Sequence, residues 1–285
     1  MAQPVPILMY HGIAQGDVDR WTVPTTVFGE HMKWLAERNY RPVPVSLLMA
    51  ARNGSLPLPP RTLAITFDDG LRNFATDALP ILQQYNFPAT IYIVTGYIGK
   101  TASWSRPKRA GQPMLSQREI RAIAEHGIEC GAHTHSHPQL DIISLMAART
   151  EIRRSKADLE DCLGQRVESF AYPHGYASRR VREIVHQEGF TSACRVRHAL
   201  SSSREDPFAL SRIIMTSGIG VAELGRLLTG DGLPVAPPVD RMLGTGWRWA
   251  RKAQAKFQAW SQQSATGFDC KERVPENRSR GGNRS

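Results

Sequence analysis

The stretch "TFDDG", residues 66–70, places two carboxylates side by side at the end of an apolar run. Neighbouring like charges repel, so Asp68 and Asp69 are costly together unless another group offsets the repulsion. Successive side chains of an extended backbone point to opposite sides, and the two carboxylates need not share a task. A bound cation would remove most of the repulsion, because its charge would be the largest in the site. One aspartate could then bind the metal while the other faces a substrate.

The stretch "HTHSHP", from His133 to Pro138, supplies candidate partners for such a cation. His133 and His137 are four residues apart, a spacing that presents two imidazoles to one ion on a helical turn, whereas His135 would point elsewhere. Together with Asp69 they would form a set of two imidazoles and one carboxylate, with positions left open for water and substrate. That composition is typical of a catalytic metal site. Taken alone, "DDG" is more typical of a turn or a helix cap, and HxxxH of exposed histidines.

Short apolar runs bounded by turn or polar residues recur along the chain and predict buried parallel strands. The runs begin at Pro4, Thr62, Ala89, Ile128, Ser169, Thr191 and Ser211. Helical spacing fits residues 26–39, 71–85, 140–163 and 178–188, and a capping box of Ser116 with Glu119 predicts a helix that ends at Gly127. Strand and helix alternate, which predicts an α/β fold, either a parallel β/α barrel or a doubly wound sheet.

Four of the predicted strands end in ionisable or aromatic residues followed closely by glycine or proline. These ends are Tyr10–Gly12, Asp68–Gly70, His133–Pro138 and Tyr172–Gly175. Barrel enzymes build their active sites from the C-terminal ends of several strands. The pattern therefore favours the barrel, and we expect the four ends to converge on one pocket.

In this order, "TFDDG" and "HTHSHP" resemble the first two motifs of the NodB-homology polysaccharide deacetylases, carbohydrate esterase family four. The resemblance covers about residues 4–215 and implies an irregular (β/α)7 barrel. By this resemblance Asp68 matches the catalytic base. Asp69, His133 and His137 match the three metal ligands, usually of zinc, with Co²⁺ or Ni²⁺ as other divalent candidates.

The stretch "FAYPHG", residues 170–175, looks like the third motif of the family. In that motif a backbone N–H, here that of His174, helps to stabilise an oxyanion. Family members often carry an arginine at the start of the motif that braces the catalytic aspartate, whereas this chain has Phe-Ala there. Arg212 and Arg195 are candidate substitutes, although each could be an ordinary surface or helix-pairing arginine.

The late histidine that serves as the proposed general acid of the family has no counterpart in this chain. Only His186 and His198 follow the third motif, and neither lies in a leucine-x-histidine setting. However, "LMYHG", residues 8–12, resembles a branch with permuted motif order that includes poly-N-acetylglucosamine deacetylases. In that branch the early histidine takes the role, which makes His11 the candidate acid; otherwise it caps the first strand.

The resemblance implies a metal-dependent hydrolase that removes N-acetyl groups from an amino-sugar polysaccharide or oligosaccharide, in exopolysaccharide or cell-envelope biosynthesis. The acyl group could instead be formyl, and the sugar could be lipid-linked. Trp104, Tyr97 and Tyr176 could stack on sugar rings or simply pack in the fold. Two other classes remain open: a non-haem iron oxygenase, which uses the same ligand types mostly on all-β scaffolds, and a non-catalytic carbohydrate-binding relative.

The formal net charge of +10 is concentrated near the C-terminus, where residues 242–285 hold nine Lys or Arg against three acidic residues. Charge in a tail says little about the ligand of the main domain, and no nucleic-acid partner is expected. The sequence predicts a deacetylase domain over residues 1–232, a proline-rich linker over 233–241, a basic amphipathic helix over 242–262 and a disordered basic tail over 263–285.

The basic helix 242–262 could contact an anionic membrane surface or pack its aromatic face back onto the barrel. No run of the sequence is apolar and long enough to span a bilayer, and the N-terminal residues lack the features of a secretory signal. We therefore expect a cytoplasmic protein that is peripheral to the inner face of the membrane if the helix binds lipid. The four widely spaced cysteines predict reduced thiols without a disulfide framework.

Overall fold

The computed structural model describes residues 4–16, 19–105 and 111–236. These residues belong to one compact unit, Met1–Arg241. Within these ranges no helix combines the length and the apolar character needed to cross a bilayer. The predicted helix 242–262 and tail 263–285 lie outside the described residues, as does the second half of the predicted linker.

Ten strands and seven α-helices make up the described part of the chain. The strands are β1 Ile7–Tyr10, β2 Gly12–Ala14, β3 Thr22–Pro24, β4 Arg41–Pro42, β5 Thr62–Phe67, β6 Thr90–Ile93, β7 Glu129–Ala132, β8 Ser169–Ala171, β9 Ser192–His198 and β10 Leu210–Ile214. The helices are α1 Thr25–Glu37, α2 Val45–Arg52, α3 Leu79–Gln84, α4 Gln117–Glu125, α5 Leu145–Leu163, α6 Arg179–Gln187 and α7 Val221–Thr229.

Seven parallel strands close into a barrel, because β1 pairs with both β5 and β10 while β5 to β10 follow one another in order. Every residue of β1 and β5 is buried, as in parallel strands that are covered on both faces. The short β4 adds to the beginning of β5, and β2 and β3 form a separate two-stranded sheet. This architecture confirms the predicted irregular (β/α)7 barrel.

Helix α4 begins as predicted, because its capping box forms. The hydroxyl of Ser116 accepts the N–H of Glu119 at 3.3 Å, and the Glu119 carboxylate accepts the N–H of Ser116 at 2.9 Å. Two other predicted helix starts were wrong. The helix expected from residue 71 begins as a π-helical turn, Phe74–Ala78, before α3. The helix expected from residue 140 begins five residues later, where the hydroxyl of Ser144 caps α5 by accepting the N–H of Ala147.

An interlocked set of aromatic rings fixes the ends of the two strands at which the barrel closes. The ring of Tyr10 packs against Phe28 of α1 at 5.2 Å and against Phe67 at 5.5 Å, and Phe67 packs against Phe74 at 4.8 Å. The carbonyl of Tyr10 also accepts the N–H of Asp68 at 3.0 Å. The residues that follow β1 and β5 are therefore held side by side.

Candidate active site

The ionisable residues predicted from the sequence lie at the C-terminal ends of the barrel strands. His11 follows β1, Asp68 and Asp69 follow β5, the segment 133–137 follows β7, and His174 lies just beyond β8. All these strands are parallel, so their C-terminal ends meet at the same end of the barrel. The expected convergence of the four strand ends is present in the fold.

Asp69, His133 and His137 come together at this end of the barrel. Each offers one ligand atom, and these atoms lie within 4.8 Å of one another. The Nε2 atoms of His133 and His137 lie 3.7 Å and 3.4 Å from the same Asp69 oxygen, Oδ1. Among the described residues, this is the one group of His, Cys, Asp or Glu side chains arranged to hold a metal ion.

A neighbouring carbonyl determines which ring nitrogen of His133 carries the proton. Its Nδ1 lies 2.7 Å from the carbonyl oxygen of Ala171, so Nδ1 carries the proton and Nε2 presents a lone pair. Burial also lowers the pKa of His133 to about 4, which keeps the ring neutral at physiological pH. A neutral imidazole with Nε2 directed toward Asp69 is what a divalent transition metal requires of its ligand.

The two histidines do not lie on a helical turn, so that part of the sequence interpretation was wrong. Residues 133–137 form a loop in which Thr134 has φ 65° and His137 has φ 63°. The hydroxyl of Thr134 accepts the N–H of His137 at 3.0 Å and closes the loop. Asp69 is likewise left-handed, with φ 78°. Non-glycine residues at positive φ are uncommon and cluster at functional sites, so the backbone is strained where the candidate ligands lie.

Asp68 is held by Arg212 of β10 through a bidentate salt bridge. The two guanidinium nitrogens Nη1 and Nη2 donate to Oδ1 and Oδ2 of Asp68 at 2.6 Å and 2.7 Å. Arg212 is completely buried, and it also donates from Nη1 to the hydroxyl of Thr66 and from Nε to the carbonyl of Arg195. Of the two arginines proposed from the sequence, Arg212 is therefore the one that braces Asp68, while Arg195 contributes its backbone oxygen to Arg212.

The salt bridge with Arg212 favours the ionised form of Asp68. Burial raises the pKa of this carboxyl, but Arg212, which makes the largest opposing contribution, lowers it together with His133 and His11 by more than burial raises it. The pKa of Asp68 therefore lies below its ordinary value, and the group is a carboxylate at neutral pH. Because the two guanidinium nitrogens of Arg212 each bind one oxygen of Asp68, the carboxylate is also fixed in orientation.

His11 and His174 lie at the rim of the same site. His11 is near enough to Asp68 to influence the pKa of that carboxyl, and its ring packs 5.0 Å from Trp21. The exposed ring of His174 lies 4.8 Å from the ring of His137. The backbone of His174 is left-handed, with φ 58°, and a Cβ on the next residue, Gly175, would come within 2.3 Å of β9.

Aromatic side chains border the metal-ligand set. The ring of Trp104 lies 5.3 Å from His137 and 4.5 Å from Tyr97, and Tyr176 stacks 6.4 Å from His174. These contacts place all three aromatic residues named from the sequence beside the predicted site. Sequence reasoning missed Trp21, because nothing in its local setting marks it as a neighbour of His11.

Comparisons with known proteins agree with this geometry. The family model for polysaccharide deacetylase matches residues 55–193. YxkH of Bacillus subtilis (strain 168), provisionally named a polysaccharide deacetylase, is 27% identical over 224 residues, which cover 78% of this chain and 75% of YxkH. The poly-beta-1,6-N-acetyl-D-glucosamine N-deacetylase of Staphylococcus aureus (strain MRSA252) is 22% identical over 218 residues, or 73% of this chain and 72% of that enzyme.

Among solved structures, the Streptococcus pyogenes deacetylase PplD in complex with acetate superposes with a TM-score of 0.72 at 21% identity. The match covers 80% of this chain and 99% of PplD. The two chains therefore share a fold.

The barrel, with ionisable residues gathered at the C-terminal ends of its strands, has the architecture of a (β/α)7-barrel enzyme. More narrowly, the chain contains a polysaccharide deacetylase domain, of a family whose members hydrolyse amide bonds. It is related to the poly-N-acetylglucosamine deacetylases.

Proposed function

We propose that the protein removes N-acetyl groups from an amino-sugar polysaccharide or oligosaccharide, with a divalent metal ion as cofactor. The Staphylococcus aureus relative is named for poly-beta-1,6-N-acetyl-D-glucosamine, which makes N-acetylglucosamine polymers the first substrates to test. The biological setting that we propose is exopolysaccharide or cell-envelope biosynthesis.

The proposed ligands are Asp69, His133 and His137, and the proposed ion is Zn²⁺, with Co²⁺ or Ni²⁺ as alternatives. Two imidazoles and one carboxylate suit a borderline-soft divalent ion, and the closely spaced ligand atoms support the assignment. When bound, such an ion lowers the pKa of a water toward about 7 and polarises a carbonyl oxygen.

The residues around these ligands supply the proton transfers. Asp68, kept ionised by Arg212, accepts the proton of the water that attacks the acetamide carbonyl. The backbone N–H of His174 stabilises the negative charge that develops on the carbonyl oxygen. His11 donates a proton to the departing amine, and the products are acetate and a free amino sugar.

The single observation that carries the proposal is the separation of tasks between the two neighbouring aspartates. Asp69 lies 3.4–3.7 Å from two imidazole nitrogens, whereas both oxygens of Asp68 are bound by Arg212. An ionised carboxylate that is fixed beside a metal-ligand set is suited to act as a base. Arg212 also removes the main support for a non-catalytic relative, which was the loss of the arginine from the third motif.

Acetate release from N-acetylglucosamine oligomers of several linkages tests the proposal, with and without a chelator and added Zn²⁺. We expect release that chelation abolishes and Zn²⁺ restores. Oligomers with N-formyl groups and a lipid-linked N-acetyl sugar, assayed in parallel, identify the acyl group and the form of the substrate. Saccharide binding without release of any acyl group would favour the carbohydrate-binding alternative.

We also propose a peripheral contact with an anionic membrane through the basic segment 242–262, which lies outside the described residues. Its sequence combines Trp247, Phe257 and Trp260 with four basic residues. Flotation with phosphatidylglycerol vesicles should retain the full chain but not a version that ends at Asp240. Equal flotation of the two proteins would contradict the contact. The cytoplasmic location expected from the sequence stays a prediction.

A further inference from the structure

Two carboxylates of α5 hold the part of the β7 loop that lies between the two predicted histidine ligands. Glu151 and Asp158 are seven residues apart, which places them on the same face of the helix two turns from each other. Both contact His135–Ser136, the residues that separate His133 from His137. Neither carboxylate belongs to the set of possible metal ligands.

Glu151 binds the backbone of this segment. Its Oε2 accepts the N–H of His135 at 3.0 Å and the N–H of Ser136 at 2.7 Å, while its Oε1 accepts the Ser136 hydroxyl at 2.7 Å. One carboxylate thus satisfies two consecutive amides and a hydroxyl, all through charge-assisted hydrogen bonds.

Asp158 binds the side chain of His135 and links it to the neighbouring strand end. Its Oδ2 lies 2.9 Å from Nδ1 of His135 and accepts the hydroxyl of Thr95 at 2.8 Å. The carbonyl of His135 in turn accepts the N–H of Gly96 at 2.8 Å. A Cβ on Gly96 would come within 2.5 Å of that carbonyl oxygen, so the close approach requires glycine at this position.

These contacts act on a loop whose backbone is strained. Thr134 and His137, on either side of the held segment, both adopt left-handed conformations, which are uncommon for non-glycine residues and rarest for a β-branched residue such as Thr134. Strain of this kind persists only where surrounding contacts over-determine the backbone. The bonds from Glu151 and Asp158 are among the contacts that hold this backbone.

We propose that Glu151 and Asp158 are positioning residues, which hold the loop between His133 and His137 in the conformation that binds the metal. Asp158 acts on the loop through its contact with the imidazole of His135. The inference rests on the proposed function, because it takes Asp69, His133 and His137 to be the metal ligands. It assigns a task to three residues outside that set.

Zn²⁺ affinity, measured by competition with a chromophoric chelator, tests the proposal on the full chain. We expect Glu151→Ala and Asp158→Ala to bind Zn²⁺ about 10–100-fold more weakly, as is usual when supporting partners of a metal site are lost. Glu151→Gln should regain much of the affinity, since its amide oxygen can still accept both backbone N–H groups. Asp161→Ala is the matched control, because Asp161 is an exposed carboxylate of the same helix that forms none of these bonds.

Amide hydrogen exchange in the metal-free proteins provides a second measurement. The amides of His135 and Ser136 should exchange faster in Glu151→Ala than in the wild type, while the amides of β7 remain protected. Unchanged Zn²⁺ affinity in folded Glu151→Ala and Asp158→Ala, or unchanged exchange at His135 and Ser136, would overturn the inference. A wild-type chain that binds no Zn²⁺ would instead contradict the proposed function, so the two failures are distinguishable.

Discussion

Arg212 and Asp68 are 144 residues apart in the chain and form a buried bidentate salt bridge at the end of the barrel. The arginine comes from β10, not from the third motif, which starts within β8 and where family members often carry it. Arg212 can reach Asp68 from β10 because the barrel is closed, with β10 paired to β1 and β1 paired to β5.

Replacing Arg212 by methionine should lower the free energy of unfolding by about 3–5 kcal/mol, because it leaves the Asp68 carboxylate buried without its partner. The double variant Asp68→Asn/Arg212→Met should recover part of this loss, since no unpaired charge then remains. Urea denaturation at neutral pH measures both values. If the losses in the free energy of unfolding of the single variants Asp68→Asn and Arg212→Met simply added up in the double variant, the two residues would not be coupled.

The two aspartates of the "DDG" stretch should separate turnover from metal binding. Asp68→Asn should abolish acetate release while Zn²⁺ still binds, because Asp68 is the proposed base and is held by Arg212. Asp69→Asn should weaken Zn²⁺ binding itself, because it removes the carboxylate ligand. Metal analysis and acetate assays on both variants check this prediction. The opposite pattern of metal content would reverse the assigned roles.

The role proposed for His11, that of general acid, predicts a specific loss of rate. His11→Asn should reduce kcat by about 10²–10⁴-fold, the range typical of a lost general acid, with unchanged Zn²⁺ affinity. His186→Asn is the control, since His186 is an exposed histidine on α6. A His11→Asn enzyme with wild-type kcat would leave His11 as a cap of the first strand.

The buried His31 predicts how stability depends on pH. Its Nδ1 lies 3.0 Å from the Tyr10 hydroxyl and its Nε2 lies 3.0 Å from the carbonyl of Ile219, so the neutral ring satisfies both partners. Burial lowers the pKa of His31 from 6.5 to about 4. Between these values the unfolded chain binds a proton that the folded chain excludes, and stability is lost as the pH falls.

The expected slope is about 1.4 kcal/mol per pH unit for each such histidine. Urea denaturation of the metal-free wild type between pH 7 and pH 4 should therefore show a steeper decline than that of His31→Gln. His133, whose pKa is also lowered to about 4, should maintain a similar decline in both proteins. Identical slopes for wild type and His31→Gln would contradict a neutral, buried His31.

The residues with local sequence signals were predictable. Asp69, His133 and His137 each follow a recognisable apolar run, and parallel strands bring such positions together. The choice between Arg212 and Arg195 was not predictable, because it depends on which way each side chain points. The pairing of β9 with β10 shifts register between Leu210 and Arg212, so simple alternation along the strands does not settle the direction.

Other features were hidden for equally physical reasons. The elements β2, β3 and β4 span two or three residues, which is too short to show a periodic pattern. The loop conformation after β7 depends on carboxylates of α5 that are distant in sequence. The HxxxH spacing therefore predicted that the two histidines lie close together, but not the backbone conformation that brings them there.

The central claim is that Asp69, His133 and His137 bind one divalent ion while Asp68 stays outside its coordination. Anomalous X-ray diffraction from crystals equilibrated with Zn²⁺ tests it most directly. We predict one strong peak at about 2.0–2.2 Å from Nε2 of both histidines and from a carboxylate oxygen of Asp69, with Asp68 still paired to Arg212. The absence of a peak there, or a peak coordinated by Asp68 in place of Asp69, would contradict the account.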